Sequence, residues 1–169
     1  MKTLIFLPIL MVIYLVFAYF KIGMTKSWSD TYRNMPSWGR VFFSLAIWLG
    51  LAIPFAGIGF ELSEGSDFQF LWFFSGALLG LVGAAPIFWQ DKRSQRAHFI
   101  GAFGGTVFGF IALLVTIGGV FNWILTGAFV LFYFSQKIKK YELDNSTYLV
   151  ESAAYLCVLV AFIVAIQLS

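Results

Sequence analysis

The chain has 169 residues and a formal net charge of +3, with 60% of it hydrophobic and only 11% charged. A soluble domain carries roughly 45–50% apolar and about 25% charged residues, so this composition excludes an ordinary water-soluble fold. It gives no nucleic-acid footprint either, since no Lys/Arg stripe with interleaved aromatics occurs, and the single Cys157 rules out an intramolecular disulfide.

About 20 apolar residues in helix cross a hydrocarbon core of about 30 Å. Six such runs predict an all-α, polytopic transmembrane helix bundle, read as one integral membrane domain over 1–169. The first run, 3–20, follows Lys2 as a secretory signal would. It reaches Phe20 without a small-x-small cleavage site, so it is read as a retained helix. Next comes the longest polar stretch, KSWSDTYRNMPSWGR, residues 26–40. Trp28, Tyr32 and Trp38 are amphipathic rings of the kind found at headgroup depth. Lys26, Arg33 and Arg40 would meet anionic lipid, worth about 1 kcal/mol each near the surface. Asn34-Met35-Pro36-Ser37 reads as a turn and then a helix start.

The second run, 41–60, contains Pro54, and the third, 68–89, contains Pro86. Each proline removes an internal hydrogen bond and tends to kink its helix. A broken helix can line a substrate path, although a structural kink is the simpler reading. Between residues 99 and 134 there is no charge. As one helix that stretch would run about 54 Å, so Gly118-Gly119 is read as a turn between two runs, 99–117 and 118–134. Asn122 and Trp123 after it suit an interface. The fourth run repeats glycine every four residues at Gly101, Gly105 and Gly109, and the third carries Gly76 and Gly80 at the same spacing. Small residues let helix backbones approach closely in lipid, so the third and fourth runs are expected to pack through these faces. A homo-oligomer could use the same stripe, and the residues do not choose. The sixth run, 148–168, follows Asp144-Asn145-Ser146-Thr147, read as a helix cap.

Lys21, Lys26, Arg33 and Arg40 lie in the first connection, Lys92, Arg93 and Arg96 in the third, and Lys137, Lys139 and Lys140 in the fifth. Only Lys2 lies on the other side, which also holds Glu61, Glu64 and Asp67. The positive-inside rule then places the odd connections in the cytoplasm and both termini outside.

Six polar residues share the predicted cytoplasmic depth: Ser29, Asp30, Tyr32, Asp91, His98 and Glu151. A carboxylate within a membrane run is by default a functional hypothesis, and these six define a candidate polar pocket. Each also has an ordinary reading. Glu151 could be an anion favoured by the N-terminal dipole of its own helix, and His98 an interfacial residue beside Arg96. No metal site is expected, because one histidine and the distant Cys157 do not supply three zinc ligands. No cofactor is implied. There is no Gly-x-Ser-x-Gly elbow or phosphate loop, and the Ser-x-Ser of the first connection has no base near it in sequence.

Ser27, Ser29 and Tyr32 of SWSDTY, with His98, Gly101 and Ala102 of AHFIGA, resemble a family of small polytopic membrane proteins of bacteria and their phages. Such members carry Ser-x-Ser-x-x-Tyr after the first crossing and His-x-x-Gly-Ala after a charged loop. Arg33 stands where a second aromatic is frequent in that pattern. The resemblance implies a multi-pass protein of the bacterial inner membrane, or a phage-encoded one, and no activity. Three functional classes follow from the residues: a binding or accessory protein in contact with the lipid bilayer, a small transporter or channel, and a membrane-embedded enzyme acting on a lipid.

Overall fold

The computed structural model describes residues 6–84, 92–138 and 146–168, and the described residues are all helix and connection. Helix α1 spans Pro8–Ile22. Proline suits its first turn, where the missing N–H would have had no partner. Gly23, at φ 74°, ends it, a conformation that costs glycine no Cβ clash. Helix α2, Trp28–Asn34, is a short helix inside the polar connection. Helix α3 runs over Ser37–Leu62 and α4 over Phe70–Ala84. Helix α5 covers Lys92–Ala112 and continues through a wide turn at Leu113–Ile117. Helix α6 is Gly119–Ile138 and α7 is Ser146–Leu168.

Four of these, α3, α5 from Gln95, α6 to Gln136 and α7, are long and apolar enough to cross a membrane by length and composition. Helices α1 and α4 are apolar but have 15 residues each, about 22 Å at ~1.5 Å per residue. Helix α4 stops where the described residues stop, so the rest of the predicted 68–89 run, with Pro86, lies outside them. The predicted 41–60 run extends at both ends, because polar terminal residues still make helical hydrogen bonds where hydropathy has already faded.

Pro54 does not break α3. One turn earlier, over Trp48–Ala52, the helix widens, and the Ile53 N–H reaches back five residues to the Trp48 carbonyl. A π-type turn of this kind moves the backbone away from the proline ring that would otherwise meet the carbonyl four residues back. The expected kink is therefore an inserted wide turn within a continuous helix. Gly118 and Gly119, at φ 61° and 82°, do separate α5 from α6. The Asn122 side-chain amide donates to the Gly118 carbonyl and closes the corner.

Close approach holds the interior together. A Cβ on Gly50 would lie 2.6 Å from the Met11 backbone nitrogen, so α1 crosses α3 there. A Cβ on Gly59 would lie 2.2 Å from the Trp72 ring. That indole is fully buried, packs on Phe162, and donates to Thr116 Oγ1 at 3.0 Å, joining α3, α4, α5 and α7. Gly101 and Gly105 face Leu78 and Leu79 of α4, Gly109 faces Ser75, and Ser75 Oγ donates to the Gly105 carbonyl at 2.8 Å. The glycines of α4 do not mirror them. Gly76 faces Ala52 and Ala56 of α3, and Gly80 opens onto empty space. The α4–α5 seam is thus glycine on one side and leucine on the other, which corrects the expected pairing of two glycine faces. Outside, large apolar residues such as Phe20, Phe103, Val120 and Leu131 are exposed, a surface suited to lipid rather than water.

Candidate functional site

The polar connection folds inward. Ser27, in extended conformation, caps α2, and its Oγ accepts from the Asp30 N–H at 3.2 Å. The same Oγ donates to Asp30 Oδ2 at 3.2 Å. Ser followed three residues later by an acid is a helix-start pattern, and sequence reasoning missed it here by reading the stretch as an interfacial connection.

Three hydrogen bonds then fasten this segment to the first turns of α7. The Tyr148 N–H donates to the Lys26 carbonyl at 2.9 Å. The Trp28 N–H donates to Glu151 Oε2 at 2.6 Å, and Trp28 Nε1 donates to Ser152 Oγ at 3.0 Å. The first N–H groups of a helix have no partner within it, so Glu151 satisfies one of α2's from 123 residues away. Glu151 is therefore a cap for α2 rather than an anion resting on its own helix dipole. Trp28 is buried, edge-on to Tyr155 at 5.7 Å. This corrects its placement as a headgroup-depth ring, because its N–H finds a partner inside the bundle instead of at the surface.

On the next residue, Ser29 Oγ lies 2.8 Å from His98 Nε2, at the start of α5, and both residues are buried. One residue pair further on, Thr31 Oγ1 donates to the Trp28 carbonyl and bonds the Tyr14 hydroxyl of α1. Helix α2 is thus tied to α1, α5 and α7 at one end of the bundle.

Of the six predicted pocket residues, Ser29, His98 and Glu151 come together around α2. Asp30 is engaged with the α2 cap and does not line the cavity below it. Tyr32 points away: it packs edge-on to Phe43 and lies under the Arg40 guanidinium at 5.6 Å. A seven-residue helix turns its side chains through all directions, so one depth does not mean one face. Asp91 lies outside the described residues.

Beneath α2 is a cavity of about 70 Å³, room for several water-sized groups. Its wall is mostly apolar: Leu51 and Phe55 of α3, Leu79 of α4, Phe110 of α5 and Val158 of α7. Trp28, Ser29, Thr106, Glu151 and Tyr155 are the lining side chains that carry polar atoms, and the Trp28 indole N–H is spent on Ser152. The Tyr155 hydroxyl is already committed to the Pro8 carbonyl at 2.6 Å, and Thr106 Oγ1 to the Ala102 carbonyl at 2.8 Å. Each carboxylate oxygen has two lone pairs, so Glu151 keeps acceptor capacity beyond its bond to Trp28. A second cavity, about 310 Å³, lies at the opposite end, between Leu62, Gly118, Asn122 and Leu168. Among the described residues no three His, Cys, Asp or Glu side chains cluster as metal ligands.

No protein-family model matches the chain, and neither a curated protein nor a solved structure matches it significantly.

Proposed function

We propose that the chain is a multi-pass integral membrane protein with six crossings and both termini outside. In this reading it is a binding or accessory protein that holds the apolar part of an amphiphile in the cavity beneath α2. The observation that carries the reading is the cavity's makeup: walls from four apolar helices, with Glu151 and Ser29 beside the cation-rich connection. Ligand sites are concave and mostly apolar with a few placed polar groups, and the bilayer offers amphiphiles of matching chemistry. The cation asymmetry supports a cytoplasmic-leaflet position for this end, where Lys26, Arg33 and Arg40 would meet anionic headgroups. The bacterial inner membrane is the address implied by the family resemblance. The alternative, a small transporter or channel, rests on helices broken at Pro54 and Pro86; α3 runs unbroken through Pro54, and Pro86 lies outside the described residues.

The test is a photoreactive fatty-acyl probe in vesicles containing the protein, with cross-linked residues mapped by mass spectrometry. The reading expects adducts at Thr106 and Ala154, abolished by Ala154→Trp, which fills the space. Adducts confined to outward residues such as Phe103 and Leu131 would overturn it.

A further inference from the structure

We infer that Ser29 and His98 form a nucleophile–base pair that cleaves an acyl ester whose chain lies in the cavity; this rests on the amphiphile-binding reading above and gives that site a reaction. The sequence separates the two residues by 69 positions, and the fold brings Ser29 Oγ to 2.8 Å from His98 Nε2. In the tautomer with its proton on Nδ1, the imidazole accepts from the hydroxyl at Nε2, the contact a serine nucleophile needs with its general base.

Five other hydroxyls of the chain behave differently. Ser63, Thr106, Thr116, Ser135 and Ser152 each donate to a backbone carbonyl three or four residues back, the usual resting place for a hydroxyl in a helix. Ser29 lies in the first turn of α2, where no helical carbonyl stands four residues behind it, and its partner is an imidazole. Ser29 is 5% exposed and His98 is 4% exposed, so the approach to the hydroxyl is from the cavity that Ser29 helps to line. Apolar walls suit an acyl chain, and a serine at the wall meets the carbonyl where that chain ends.

In the step, Ser29 Oγ bonds to the acyl carbon while its proton passes to His98 Nε2. The carbon–oxygen bond to the alcohol breaks, and the proton on Nε2 goes to the departing oxygen. Water then attacks the acyl-serine, His98 takes its proton, and that proton returns to Oγ as the acyl–Oγ bond breaks. Ester and water become acid and alcohol, with both residues restored.

A long-alkyl fluorophosphonate tests the pair in the full-length protein in detergent, with the modified peptide identified by mass spectrometry. The expected result is covalent labelling at Ser29, none at that position in Ser29→Ala, and labelling slowed by about 100-fold or more in His98→Gln at an unchanged melting temperature. Folded wild-type protein left unlabelled at Ser29 overturns the inference, and this arm needs no variant to fold. Labelling of His98→Gln at the wild-type rate overturns it as well. Cavity cross-linking that persists while Ser29 stays unlabelled removes this inference and leaves the binding reading standing.

Discussion

Helices α3 and α6 are both apolar enough to cross a membrane, yet half of the most apolar 18 residues of α3 are buried inside the protein and only 6% of those of α6 are. Helix α3 has α1 against it at Gly50, Trp72 against Gly59 and Gly76 of α4 against Ala52 and Ala56. Helix α6 turns Val120, Ile124 and Leu131 outward, and its Gly127 faces nothing within 4 Å. In lipid an outward leucine is as comfortable as an inward one, so hydropathy does not separate a central helix from a peripheral one. Backbone approach does separate them, and glycine marks it only where a neighbour occupies the missing Cβ.

Enlarging a glycine on each helix separates the two most strongly. Gly50→Val would push a branched side chain into the Met11 backbone and should cost roughly 3 kcal/mol. Gly127→Val should leave the melting temperature in detergent nearly unchanged. Equal losses would mean that α6 is as tightly packed as α3. Next in size is the α2 anchor. Glu151→Ala strips the partner from the Trp28 N–H and should cost about 2 kcal/mol, and Glu151→Gln, which retains an acceptor oxygen, should recover about half of that. Identical losses in thermal unfolding would show that charge, not the hydrogen bond, does the fastening. The seam between α4 and α5 predicts a smaller contrast. Gly101→Ala meets the Leu78 carbonyl at 2.6 Å and should lose about 1 kcal/mol, whereas Gly80→Ala should lose none. At the bottom of the scale, Gly127→Ala should gain roughly 0.5 kcal/mol, the helix propensity of alanine over glycine with no clash against it.

What the sequence reveals here is what local chemistry decides. The apolar runs, the Gly118-Gly119 corner and the glycine stripe of α5 are each contained within a few turns of chain. The partners of those features are not. Gly101 and Gly80 look alike in sequence, and only the crossing of neighbouring helices gives one a close contact and leaves the other open. The candidate site divides in the same way. Ser29, His98 and Glu151 stand out as polar residues at one depth, but the bond from Trp28 to Glu151 and the bond from Ser29 to His98 span 123 and 69 residues. No periodicity encodes such pairings. Trp28 was legible only as an aromatic at a boundary, because burial of its ring depends on α7 arriving with Ser152 and Tyr155 in place. The helical character of α2, by contrast, is local, carried by the Ser27 and Asp30 cap.

Amide hydrogen exchange over residues 27–34 shows whether the polar connection is a pinned roof over the cavity or a length of chain lying in water. A pinned roof gives slow exchange at the Trp28 amide in the wild-type protein and at least tenfold faster exchange, about 1.4 kcal/mol of lost protection, in Glu151→Ala. Wild-type exchange as fast as an unstructured peptide, or protection that survives the substitution intact, would contradict it.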